Sequence, residues 1–374
     1  MVINKNIKVY VGMSGGVDSS VSAALLQKAG YHVVGVYMKN WTQDMPGARC
    51  PWAEDLADAK RVAVKLGIDF KVFDFEKDYK QKVVDYMISE YQAGRTPNPD
   101  IMCNQEIKFK LFLESALEDG ADMIATGHYA RLANGIWNME YGVPEKNKQP
   151  NSNSQIPIAK LMRAVDNLKD QTYFLYRVSG EALAKTLFPI GEYTKSQVRK
   201  MASEFGLVTA NKKDSQGICF VGQVGIEEFL SQYVKSKPGN IIDRQTGKIL
   251  GIHDGAIFYT IGQRHGLDVG GGLPYYVVGK DMSKNEVYIT TDLNDESLWK
   301  KEVTLTNIHW INNAPKEGDY SIRVRHRAPL VNASLTFSGD NVDLKLDQPQ
   351  RAVASGQSVV IYNNEVCLGG GIVS

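Results

Sequence analysis

The sequence predicts an α/β fold: a doubly wound, mostly parallel sheet, then a small middle domain and a C-terminal β-barrel. Two observations carry that expectation. Between Ile7 and Gly127, short apolar runs alternate with stretches of helical period, the pattern of a parallel sheet covered by helices on both faces. After Lys213 the texture changes to short strands, frequent glycines and hairpin spacing, and period-2 stretches run from Val303 to Ser374.

In chain order, the strands expected in the first domain are Ile7–Met13, His32–Met38, Ile68–Phe75 and Met123–Thr126, apolar runs suited to burial on both faces. Helices are expected at Val17–Ala29, Trp52–Leu66, Lys77–Tyr91 and Phe109–Glu118, with Gly30, Gly67 and Gly120 at stop positions. The segment Asn138–Pro157 is polar, rich in Asn and Pro and aperiodic, so it reads as a surface excursion. Thr194-Lys-Ser-Gln197 is a capping-box pattern opening a helix that stops at Gly206. The division expected is 1–213, 214–282 and 283–374, the last unit a barrel or a sandwich.

Bulk properties exclude several classes. A length of 374 residues gives two or three domains at about 100–200 residues each, more than a lone binding module needs. No apolar run reaches about 18 residues and no charged-then-apolar leader opens Met1–Tyr10, so a cytoplasmic protein with no membrane partner is expected. The formal charge of +1 provides no global basic field, and any nucleic-acid site must be a local patch. Cysteines stand at 50, 103, 219 and 367 with no C-x-x-C pair, which argues against a zinc site and for reduced thiols.

The loop Ser14-Gly-Gly-Val-Asp-Ser19 follows the first strand and opens the first helix. That placement aims backbone N–H groups and a helix N-terminus at one point, while glycines let a ligand approach and serine hydroxyls donate to it. Gly12, Met13, Ser14, Gly15, Gly16, Val17, Asp18 and Ser19 therefore form a candidate anion cradle. The bland alternative is a Gly-rich turn with Asp18 and Ser19 as ordinary helix-start residues, and the strand–loop–helix order argues against it. A Walker loop is excluded, because no lysine follows these glycines and neither Lys248 nor Lys280 precedes Ser or Thr. The hexapeptide resembles the S-G-G-x-D-S signature of ATP pyrophosphatases. That resemblance implies an adenine nucleotide alpha hydrolase-like sheet and ATP cleaved to AMP and pyrophosphate, with an acceptor adenylated.

Two cysteine motifs narrow the acceptor. Thr96-Pro-Asn-Pro-Asp-Ile-Met-Cys-Asn104 and Lys213-Asp-Ser-Gln-Gly-Ile-Cys-Phe220 place Cys103 and Cys219 in polar Pro/Gly-rich contexts, where exposed, mobile thiols are expected. Cys50 and Cys367 lack such contexts and read as inert. With Gly127-His-Tyr-Ala130, Lys169-Asp-Gln-Thr-Tyr-Phe-Leu175, Tyr259-Thr-Ile-Gly-Gln-Arg264, Val324-Arg-His-Arg327 and Cys367-Leu-Gly-Gly-Gly371, they make nearly the whole chain resemble the tRNA-specific 2-thiouridylases.

The resemblance implies that ATP, with Mg2+, activates the C2 oxygen of the wobble uridine in tRNAs for Lys, Glu and Gln. Cys219 would carry sulfur as a persulfide delivered by a cysteine desulfurase or a relay protein. Cys103 would either attack that persulfide to release sulfur or resolve the intermediate, with a Cys103–Cys219 disulfide as the product. Asn98, Pro99 and Asp100 resemble the target-base contact, and Asp100 suits a general acid or base. Met38 and Gly127 match nucleotide positions. His128, Lys169, Asp170, Gln171, Arg325, His326 and Gln357 match tRNA contacts, although Ser355 stands where the family usually has Pro before Gly-Gln. No second ligand at metal spacing accompanies His128, so no protein-held metal is expected. Period-2 alternation would put Arg323, Arg325 and Arg327 on one strand face as a phosphate track. Two rivals are an amidotransferase-coupled pyrophosphatase acting on a small molecule, which needs no paired thiols, and a non-catalytic RNA-binding protein, which needs no intact phosphate loop.

Overall fold

In the computed structural model, residues 7–44, 50–133, 159–213, 225–270 and 272–374 are described. Strands β1 (Lys8–Gly12), β2 (His32–Lys39), β3 (Asp69–Asp74), β4 (Met123–Thr126) and the two-residue β7 (Thr186–Leu187) form a parallel sheet in the order β3-β2-β1-β4-β7. β7 is too short to show a period in the sequence.

Alternation along β1 divides the core between the two faces of the sheet. Val9 and Val11 pack with helices α1 (Val17–Lys28) and α2 (Trp52–Leu66), through Val21, Leu26 and Val62. Tyr10 points the other way, into a core containing Val83, Met87, Ile107 and Phe112. Those residues come from two continuous helical runs. The first is α3 (Glu76–Tyr79), π-helical Lys80–Val84 and α4 (Asp85–Gln92); the second is α5 (Pro99–Met102), π-helical Cys103–Leu111 and α6 (Phe112–Glu118). The helix expected from Phe109 thus begins at Pro99. Asn98 caps it, its side chain accepting the Ile101 N–H at 3.3 Å, and Pro99 takes a first-turn position where its missing N–H leaves no bond unmade.

β1 lies between β2 and β4, so the strand order reverses there and a crevice opens beyond the carboxyl ends of β1 and β4. A hairpin of β5 (Ala130–Ala133) and β6 (Lys160–Arg163) follows; the excursion expected at 138–157 lies outside the described residues. Helices α7 (Thr172–Leu175), α8 (Gly180–Ala184) and α9 (Lys195–Glu204) complete this part. Both halves of the Thr194–Gln197 capping box are formed.

After α10 (Ile226–Ser231), β8 (Gly239–Asp243), β9 (Ile249–His253), β10 (Tyr276–Asp281) and β11 (Glu286–Thr290) make a small sheet in the order β10-β11-β8-β9. The division expected after residue 282 falls inside the β10–β11 hairpin, which turns at Asn285 (φ +55°), so this unit runs through Thr290. Strands β12 (Trp299–Trp310), β13 (Gly318–Arg323), β14 (Val331–Ser338), β15 (Asn341–Arg351), β16 (Ser358–Asn363) and β17 (Val366–Val373) follow. Pairing of β12 with β17 closes them into an antiparallel barrel rather than a sandwich, around Leu305, Ile322, Leu335 and Ile361. β17 also pairs with β6 through Val366 and Met162, joining the barrel to the first domain. Among the described residues, no helix is long and apolar enough to cross a membrane.

Candidate active site

The crevice holds the phosphate loop. Met13 is buried and Ser14 exposed. Gly15 has φ +73°, and a Cβ there would stand 2.3 Å from the Asp55 carbonyl oxygen in α2, so both conformation and space demand glycine. Gly16 caps α1 without a side chain, leaving the first-turn N–H groups directed at the crevice. The Ser14 N–H donates to Ser19 Oγ at 3.2 Å, and the two hydroxyl oxygens lie 3.4 Å apart. A Cβ on Gly127, at the end of β4, would stand 2.6 Å from the Ser19 nitrogen. The Met38 methyl, at the end of β2, lies 2.9 Å from the place a Gly12 Cβ would take. The nucleotide residues expected from the sequence thus gather at one sheet edge.

Asp18 turns toward two residues that the sequence shows inside motifs but not as candidates for this site. Lys195 Nζ donates to both Asp18 carboxylate oxygens at 2.8 Å, and the Tyr129 hydroxyl donates to Oδ1 at 2.8 Å. The capping box at Thr194 announced a helix. No local pattern signals that the lysine following it reaches the phosphate loop.

The helix carrying Asp100 and Cys103 flanks the same edge. Phe109 of this helix packs on the His128 ring with centroids 5.6 Å apart, and His128 directly follows Gly127. Burial holds the Asp100 carboxyl above its ordinary range, with Lys108 opposing. Burial drives the His128 imidazole well below its ordinary value, Lys108 adding to the effect, so the ring is neutral, its Nδ1 hydrogen-bonded with Thr126 Oγ1 at 2.8 Å. Cys103 is 2% exposed and lies inside the core. This corrects the expectation of an exposed loop thiol: the cap at Asn98 makes the segment helical and turns Cys103 inward with Ile101 and Ile107. Cys219 lies outside the described residues. Cys50 is half-buried and Cys367 buried in β17, and burial raises both thiol pKa values.

Comparison with known proteins names the constellation. The tRNA methyl transferase HUP domain family matches residues 7–223, its PRC-barrel domain family residues 227–291, and the aminomethyltransferase beta-barrel domain family residues 300–373. The tRNA-specific 2-thiouridylase MnmA of Bacillus mycoides (strain KBAB4) is 45% identical over 370 residues, covering 98% of this chain and 94% of that protein. The protein of the same name from Bacillus anthracis matches at the same identity and coverage. The chain belongs to the tRNA-specific 2-thiouridylase family. A solved 4-thiouridine synthetase–RNA complex with bound ATP is 17% identical, covers 62% of this chain and 51% of its own, and has a TM-score of 0.36.

The residues that the 2-thiouridylase resemblance assigned to tRNA are placed unevenly. Asp170 is 1% exposed, ion-paired with Arg323 at 2.7 Å and hydrogen-bonded to Thr172, so it holds the barrel to the first domain instead of facing a ligand. The Gln171 side chain accepts the Tyr129 N–H at 2.9 Å, and Lys169 is half-buried. His128 is enclosed by Phe109 and Phe188 and presents no open face. The arginine track is corrected too: β13 ends at Arg323, which is buried, and Arg325 and Arg327 are exposed in the turn beyond it, Arg327 at φ +62°. The His326 ring stands 4.4 Å from Phe174, its pKa pushed down to about 4, chiefly by burial and then by Arg327 and Arg323. Gln357 follows a loop in which the Ser355 carbonyl accepts the Thr96 N–H at 3.0 Å, so a backbone bond fixes that loop without the usual proline.

Proposed function

We propose that this enzyme 2-thiolates the wobble uridine of tRNA, using ATP to activate the C2 oxygen and a cysteine persulfide as sulfur source. Near-full-length identity carries the reading: 45% over 98% of the chain to proteins named as tRNA-specific 2-thiouridylases. The matched families are described instead as methyl transferases. The phosphate loop favours thiolation, because two close-approach glycines and two serine hydroxyls at a helix N-terminus suit a polyphosphate, which methylation does not consume.

The residues present fit an adenine nucleotide. Gly15, Gly16 and the first turn of α1 offer N–H groups to its phosphates, Ser14 and Ser19 offer hydroxyls, and Met38 and Gly127 bound the adenosine end. Among the described residues no three His, Cys, Asp or Glu side chains are grouped to hold a metal, so Mg2+ is expected to arrive on the phosphates. A uracil oxygen is a poor leaving group, whereas its adenylate departs as AMP. Asn98 fixes the start of α5, and Asp100, its pKa raised by burial against the opposing Lys108, exchanges a proton with the uracil edge.

The terminal sulfur of a Cys219 persulfide bonds to C2 as AMP leaves. Cys103 then attacks the Cys219 sulfur, breaking the S–S bond; C2 keeps the sulfur and a Cys103–Cys219 disulfide remains, to be reduced by an external thiol. The buried position of Cys103 keeps this thiol from solvent. The donor is a cysteine desulfurase or its relay. Arg325, His326, Lys169, Gln171 and Gln357 are assigned to the tRNA side of the site.

The test is nucleoside mass spectrometry after incubating enzyme, ATP, Mg2+, a persulfide donor and unmodified tRNA. The expected product is 2-thiouridine, absent from the Cys219→Ser and Cys103→Ser reactions. Formation of methylated uridine with a sulfonium donor, and no thiouridine, would overturn the assignment.

A further inference from the structure

We infer that Lys195 is a positioning residue of the nucleotide site, neutralising the phosphate loop's own carboxylate so that the cradle accepts a polyphosphate; this rests on the nucleotide reading above. The loop has no lysine of its own, although phosphate loops of the G-K-[ST] type meet their ligand with one. It does carry a carboxylate, Asp18, in the first turn of α1. Left bare, that charge would compete with phosphate for the positive end of the helix and repel it across a site of low dielectric.

Lys195 meets this need from a separate helix. Its ammonium donates to both Asp18 oxygens, and its side chain is only 13% exposed. An ordinary surface lysine keeps its head in water and gains little from an ion pair. Here several contacts fix the approach. The Lys195 N–H donates to Asp166 Oδ2 at 2.9 Å, and the Thr194–Gln197 box sets the first turn of α9. Val198 and Ala202 of α9 pack in the same core as Val21 and Leu26 of α1. Tyr129 closes the third side, its hydroxyl on Asp18 Oδ1 and its ring centroid 5.8 Å from the ammonium. Three elements thus converge on one loop carboxylate, more than holding α9 against α1 requires.

The experiment measures ATP affinity by titration calorimetry on the folded enzyme, with thermal melting as the fold control. Lys195→Met is expected to weaken ATP binding about tenfold or more, and Lys195→Arg to keep it within about threefold of wild type. In the Asp18→Asn background, adding Lys195→Met should change ATP affinity little, because the charge to be neutralised is gone. Asp18→Asn alone should bind ATP at least as tightly as wild type, whereas a purely structural ion pair would lose affinity in Asp18→Asn itself. Wild-type affinity in Lys195→Met overturns the inference, as does an equal loss in both backgrounds. If Lys195→Met does not fold, Asp18→Asn is compared with wild type and with the double variant, and a large loss of ATP affinity in either comparison overturns the inference. A wild-type enzyme that binds no ATP overturns the nucleotide reading first, and the inference with it.

Discussion

At the scale of single residues, the charge state of Asp100 links stability to chemistry. Burial raises its pKa, so the native state keeps a proton that the unfolded chain has already released. Stability contributed at this position is therefore greatest below the ordinary aspartate value of about 3.9 and declines as pH rises toward the raised native value. Asp100→Asn is expected to melt higher than wild type at pH 7, with the gain vanishing below about pH 4, while 2-thiouridine formation is lost. Melting curves at the two pH values and nucleoside analysis check both halves; an unchanged melting temperature at pH 7 would show that the carboxylate is solvated. Residue types at this site were legible, because Cys103, Asp100 and the loop glycines stand in distinctive motifs. Their burial was not. A motif rich in Pro and Asn looks open in one dimension, whereas the cap at Asn98 folds it into a helix whose inner face receives Cys103.

At the scale of elements, sequence period revealed what is long and hid what is short. Strands β1 to β4 sit within one or two residues of their expected limits. In β1, β2 and β4 burial on both faces needs an unbroken apolar stretch, whereas β3, at the sheet edge, has no buried residue and keeps Asp69, Lys71 and Asp74. The two residues of β7 show no period, and the alternation of Arg323, Arg325 and Arg327 suggests a strand although β13 ends at Arg323 and the chain turns over the next four residues, with Arg327 left-handed. Helix α9 was the most legible start, and it also bears Lys195 in its first turn. Thr194→Ala should therefore act twice. Loss of the cap is expected to cost about 1 kcal/mol of folding stability, read by denaturant unfolding. ATP affinity should weaken severalfold as the first turn loosens beneath the ammonium. A stability loss without any change in ATP binding would show that Lys195 is held by its neighbours alone.

At the scale of the whole molecule, the three units meet at Thr96, two residues before the cap of the Asp100 helix. Its N–H donates to the barrel's Ser355 carbonyl at 3.0 Å, and its hydroxyl lies 3.0 Å from that of Thr260 in the middle unit. Gly356 has φ +87°, and a Cβ there would stand 2.7 Å from both Arg95 Cβ and the Thr96 nitrogen. A second tie, the buried Arg323–Asp170 pair, lies on the hairpin side of the first domain. These contacts join residues at least 153 positions apart, so no local pattern could announce them. They do predict how the barrel should matter to chemistry. Gly356→Val forces a β-branched side chain into a left-handed conformation and against Thr96, so the barrel loop must retreat and release the segment that aims Asn98 and Asp100. Misplacing reacting groups by about 1 Å costs up to about a hundredfold in rate. The thiolation rate is therefore expected to fall at least about tenfold, while ATP affinity stays within about twofold, because the phosphate loop is held by α1, α2 and β4 instead. Rate and affinity falling together would mean that the variant has unfolded the first domain. An unaltered rate would mean that the barrel does not position the helix that carries Asp100.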